Sequence, residues 1–104
     1  MSDILTINSP LLRWEKPIRD PWYKRFIRRL PCLCCGRAWG IEAAHFGPHG
    51  VGQKASDLHT LPLCHLCHRL YHKLGPVRFA EVHRLDVWGT IAKLNQFYRE
   101  KLAA

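Results

Sequence analysis

No run of apolar residues in this chain approaches the roughly 18–20 needed to span a bilayer. The first residues also lack the pattern of a secretory signal, a basic segment followed by an apolar core. The cytoplasm is therefore the expected location, and no membrane partner is expected. Acidic residues are scarce: Asp plus Glu number 8 against 16 Lys plus Arg, a net charge of +8. An excess of that size favours a polyanionic partner, with nucleic acid ahead of an anionic membrane surface. Internal repeats, low-complexity tracts and an evident domain boundary are missing as well. Five cysteines make an odd count, which suits a framework of secretory disulfides poorly. In a reducing compartment, cysteine pairs are more often metal ligands.

What remains is one small domain of 104 residues, 47% hydrophobic, short enough to gain from a staple in place of a large core. Residues 1–19 carry Pro10 and Pro17 with little periodicity and read as an extended arm packed by Leu11, Leu12 and Trp14. Asp20-Pro21 is a helix start, with a capping carboxylate and proline at the first helical position. Trp22, Tyr23, Phe26, Ile27 and Leu30 then fall on one side of the wheel and Lys24, Arg25, Arg28 and Arg29 on the other, until Pro31 ends the helix. Short strands are expected at 41–46 and 58–63, with the turn-rich segment 47–52 a loop between them. A helix is expected over 67–74, stopped by Gly75-Pro76, another over 77–84, and a last one capped by Asp86 and running to about Lys101. Val87, Trp88, Ile91, Leu94 and Tyr98 give that last helix an apolar stripe, read as core together with the aromatics of the first helix.

The densest chemistry lies in Leu63-Cys64-His65-Leu66-Cys67-His68-Arg69-Leu70-Tyr71-His72. Cys64 and Cys67 supply half of a tetrahedral thiolate site, and Cys32 and Cys35 supply the other half. We expect these four to hold a structural Zn²⁺, with Cys34 left as a spare thiol. His68 and His72 stand at i and i+4, which places both imidazoles on one helix face. They form a second metal-clasping pair once the cysteines are spoken for.

The order CxxCG at Cys32–Gly36, a strand ending in His45, Asp57-Leu58, and then Leu63-Cys64-x-x-Cys67-His68-x-x-x-His72 resembles the HNH, or His-Me finger, endonucleases. The tracts Ala44-His45-Phe46, Gly50-Val51-Gly52-Gln53-Lys54-Ala55-Ser56-Asp57-Leu58 and Leu61-Pro62-Leu63-Cys64 are most similar to a phage branch, that of the recombination enhancement function nuclease and related small phage proteins. The resemblance covers roughly residues 19–74. It implies a zinc-stapled ββα-metal centre at 20–74, and with the helices read over 76–104 the expected fold is α+β, one domain of such a centre flanked by helices. It also implies metal-dependent hydrolysis of DNA phosphodiester bonds, in the bacterial cytoplasm if the chain is phage-encoded.

In that reading His45 is the general base, and Asp57 takes the place of the family's middle Asn, orienting the ring. His68 and His72 hold one divalent cation, Mg²⁺, Mn²⁺, Ni²⁺ or Zn²⁺, with nitrogen ligands favouring the latter three. Many family members place Asp or His just before the base, as a metal ligand. This chain has Ala44 there, and Glu42, two residues back, is the nearest substitute. Lys24, Arg25, Arg28, Arg29, Lys54, Arg69 and Lys73 are the expected DNA contacts, sequence-independent and salt-sensitive. A recombinase or another replication protein is the expected protein partner. The rival reading, supported by Ala44, is a non-catalytic zinc-stapled module that binds nucleic acid or a recombinase.

Overall fold

A computed structural model describes residues 18–47 and 55–103. Residues 1–17, most of the expected extended arm, and residues 48–54, most of the expected loop and with it the expected contact Lys54, lie outside the described residues. Within them the chain is a small α+β structure: helix α1 (Pro21–Arg28), strand β1 (Ile41–His45), strand β2 (Thr60–Cys64), then helices α2 (His65–Leu74), α3 (Pro76–His83) and α4 (Val87–Ala103). The two strands and the helix that follows them are present in the order read from the sequence.

Helix α1 begins as its sequence dictates. The Asp20 carboxylate accepts the Tyr23 N–H at 3.0 Å, and Pro21 has no N–H to orphan. Tyr23 and Ile27 are fully buried, but the expected stripe is narrower than its wheel: Trp22 is 65% exposed, so it is not core. The expected cationic face is narrower too, because Lys24 turns inward and reaches 3.9 Å from the Asp57 carboxylate.

The strands pair antiparallel, with Ile41 opposite Cys64, Ala43 opposite Pro62 and His45 opposite Thr60. Pro62 in mid-strand breaks no ladder bond. Its carbonyl points outward and accepts the Leu33 N–H at 2.9 Å, so the missing N–H lies on that outer edge as well. This bond docks the first cysteine knuckle on the sheet. The knuckle is itself closed by Gly36 N–H to the Cys32 carbonyl at 2.9 Å, with Gly36 at φ +77°, where a Cβ would be strained.

Boundaries on either side of β2 move. Asp57–His59 is a 3-10 turn and not strand, because the Ser56 hydroxyl caps it by accepting the Leu58 N–H at 3.3 Å. β2 therefore starts at Thr60. Helix α2 starts at His65, two residues earlier than expected, because Cys64 ends the strand and serves directly as the helix cap.

Ile41, Ala44, Phe46, Leu61, Leu63, Tyr71, Phe79 and Ile91 form the core between the sheet and helices α2, α3 and α4. Gly75, at φ +86°, turns the chain from α2 into α3. On α4, Ile91 is buried, whereas Trp88 is 41% exposed and its edge meets the His59 ring at 5.3 Å between centroids. The same indole stands where a Cβ on Gly47 would sit, 2.8 Å away, and thus seats the turn that follows His45. None of the described helices is long and apolar enough to cross a membrane.

Candidate metal centre and histidine site

The cysteine cluster follows from the two junctions just described. The knuckle hangs on the outer edge of β2, while Cys64 and Cys67 straddle the turn from β2 into α2. The ligand atoms of Cys32, Cys35, Cys64 and Cys67 lie within 4.8 Å of one another. Cys35 and Cys64 have their sulfurs 3.7 Å apart, close to the edge of about 3.8 Å expected for thiolates around a zinc-sized ion with bonds near 2.3 Å. Burial works against a Cys32 thiolate, but backbone hydrogen bonds from Cys64, Cys35 and Cys34 outweigh it and bring the thiol down to about 6. Cys64 is lowered as well, first by a backbone hydrogen bond from Cys67. Four convergent thiols with amide donors around them are a donor set that holds a metal ion. Cys34 lies outside the cluster, and burial pushes its thiol up to about 11.

A second constellation is built on His45 at the end of β1. Its Nε2–H donates to Asp57 Oδ1 at 2.8 Å, and Asp57 is 2% exposed. The carboxylate is held from the other side by residues just before α1: Asp20 N–H donates to Oδ2 at 2.8 Å and Arg19 Nη1 to Oδ1 at 3.2 Å. Lys24 adds its charge at 3.9 Å. Burial alone would raise the Asp57 carboxyl, but the His45 hydrogen bond, the Asp20 amide and Lys24 together hold it below its ordinary value. An ionised acceptor at Nε2 leaves the lone pair of the neutral ring on Nδ1. The His45 carbonyl in turn accepts the Tyr71 hydroxyl at 2.9 Å, which ties the end of β1 to α2.

On α2, His68 and His72 face the same way, with ring centroids 4.7 Å apart. His68 Nδ1–H donates to Glu42 Oε1 at 2.7 Å, and His65 Nδ1–H to Oε2 at 3.2 Å. The His68 hydrogen bond is the main reason the Glu42 carboxyl lies below its usual range, with His65 helping against slight burial. A carboxylate on Nδ1 presents Nε2 as the ligand atom, the usual support for a metal-binding imidazole. His68 and His72 thus lie side by side on one helix face, and Glu42, expected as a substitute for the missing ligand, is instead engaged by His68 and His65. Ala44 is fully buried. Among the described residues, the four cysteines are the one ready-made group of three or more metal-ligating side chains.

Of the expected DNA contacts, Arg25, Arg28, Arg29, Arg69 and Lys73 are exposed. Lys24 is partly buried and faces Asp57 at 3.9 Å. Sequence reasoning missed Arg19, Tyr71 and Asn95 as parts of the site. Asn95 donates to the Leu58 carbonyl at 3.0 Å, beside Asp57, from a helix whose periodicity says nothing of it. Arg19-Asp20-Pro21 was the one available signal for Arg19.

Known proteins give this chain a family but no activity. The uncharacterized protein YdfU of Escherichia coli (strain K12) is 37% identical over 71 residues, 62% of this chain and 20% of that protein. The chain thus spans about one fifth of the relative it matches. No solved structure matches it. The family described as protein of unknown function (DUF968) matches residues 8–95, which include both cysteine pairs, His45, Asp57, His68 and His72, and the chain belongs to that family.

Proposed function

We propose that this protein is a metal-dependent endonuclease of the HNH kind, hydrolysing DNA phosphodiester bonds at His45. The observation that carries the reading is the His45–Asp57 pair, 2.8 Å apart, at the mouth of a strand–strand–helix unit that also presents His68 and His72. A carboxylate behind one ring nitrogen and a lone pair on the other is what a general base for water requires. Asp57 keeps the tautomer and steadies the imidazolium that forms when Nδ1 takes the proton. Arg19 and Lys24, beside Asp57, offset the carboxylate's charge where an anionic substrate approaches.

The cysteine cluster holds zinc in this reading and sets the angle between β2 and α2, hence where α2 aims its imidazoles. His68 and His72 would hold a divalent cation, whose chemistry is to neutralise charge at the phosphate and on the leaving oxygen. Mn²⁺, Ni²⁺ and Zn²⁺ suit two nitrogens better than Mg²⁺ does. The exposed arginines of α1, with Arg69 and Lys73, supply sequence-independent phosphate contacts. A role in phage recombination, alongside a recombinase, is the setting in which such an activity belongs.

The deciding experiment is cleavage of plasmid and single-stranded DNA under Mg²⁺, Mn²⁺, Ni²⁺ and EDTA, with zinc content measured in the same samples. Cation-dependent cutting that vanishes in His45→Ala, with zinc retained at about one per chain, supports the reading. Zinc-loaded wild type that cuts no substrate under any cation would leave the non-catalytic nucleic-acid-binding module, the reading that Ala44 favours.

A further inference from the structure

Helices α1 and α4 leave an open groove between them, about 940 Å³ in volume, at the upper end for a small-ligand site. Its floor is aromatic: Phe26 and Tyr98 meet at 5.2 Å between centroids. Its wall is Trp22, which is 65% exposed and carries the Arg25 guanidinium 5.3 Å from its ring centroid. Arg25, Arg29 and Lys101 line it with positive charge. The one acid of the lining is Asp20, whose carboxylate is engaged at the α1 N-terminus by the Tyr23 N–H.

A large indole left in water beside three cations calls for an occupant that is both anionic and flat-faced. Unstacked nucleotides combine these properties; a duplex conceals its base faces, and an acidic peptide has charge without planar rings at each step. We infer that this groove binds a single-stranded nucleic acid, with bases stacked on Trp22 and the Phe26–Tyr98 floor and phosphates met by Arg25, Arg29 and Lys101. The binding requires no cleavage at His45. Only the path of the strand rests on the nuclease reading: the groove is lined in part by Asp20, whose own N–H donates to Asp57, the partner of His45.

The test is fluorescence anisotropy of labelled 20-mers of oligothymidylate and oligouridylate, and of a DNA duplex of equal length, without added divalent cation. Trp22→Ala should weaken binding to at least one single strand by roughly tenfold, with Trp22→Phe restoring most of it and duplex binding unchanged. The two single strands separate DNA from RNA as the occupant. Arg29→Ala with Lys101→Ala should lower the steepness of the log–log salt dependence by roughly 1.4. Trp22 and both cations are at the surface, so circular dichroism and melting should match wild type. Single-strand affinity unaffected by Trp22→Ala overturns the inference, as does equal displacement of the strand by polyglutamate. Because nothing is cut in this assay, a failure of the nuclease reading leaves its result standing.

Discussion

The Asn95 amide donates to the Tyr23 hydroxyl at 2.7 Å, joining the last helix to the first across 72 positions of sequence. The same nitrogen donates to the Leu58 carbonyl, so one side chain fastens α1, α4 and the turn that presents Asp57. Tyr23 is fully buried, and burial raises its hydroxyl to about 12 despite the Asn95 hydrogen bond. Asn95→Ala should therefore destabilise the fold by about 1–3 kcal/mol, since it leaves buried acceptors unmet. Urea unfolding of zinc-loaded protein measures this.

Asp57→Asn keeps an acceptor oxygen for the His45 Nε2–H, whereas Asp57→Ala removes the group that selects the tautomer. We expect cleavage in Asp57→Ala to fall by about 10²–10⁴-fold, the range a positioned general base contributes. Single-turnover rates on one substrate, with DNA affinity measured separately, distinguish this loss from weaker binding.

Acid should expose the same pair in stability. The folded Asp57 carboxyl lies below its unfolded value, so on acidification the unfolded chain binds the proton first. Its contribution is fully present above about pH 5 and fades as the pH drops through the folded value. The gap in unfolding free energy between wild type and Asp57→Asn should shrink as the pH falls from about 5 through the folded value. A constant gap between them at every pH would count against the shift.

Cys64→Ser should lose the metal and much of the fold, whereas Cys34→Ser should keep about one zinc per chain. Mass spectrometry under native conditions gives the stoichiometry and circular dichroism the fold. Zinc lost from both variants alike would place Cys34 among the ligands.

Glu42→Gln keeps an acceptor for His68 but drops the charge that favours its Nε2 as a ligand. The Mn²⁺ needed for half-maximal cleavage should rise by about 10–100-fold, with zinc content unchanged. A metal titration of activity reads this out.

The parts legible in the sequence were those whose chemistry is local. Cysteine spacing located the cluster, and Pro21, Pro31 and Gly75 punctuated the helices because each acts on its own backbone. Asp57 was legible as a partner of His45 only through resemblance, and besides His45 the groups that depress its carboxyl are the Asp20 N–H and Lys24, far from it in sequence. The helical wheel placed Lys24 with the arginines because it weighs polarity, not the position of an acid 33 residues away. It placed Trp22 in the core for the same reason. Leu58 and His59 were read as the start of a strand, and the Ser56 cap that makes Asp57–His59 a 3-10 turn is visible only in three dimensions.

Helix α4 carries no recognisable motif, yet Trp88 seats the turn after His45 and Asn95 seats the one after Asp57. The segment that holds every familiar residue is thus shorter than the unit that keeps them aligned. Grafting residues 19–74 onto another scaffold would transplant the ligands and leave their alignment behind.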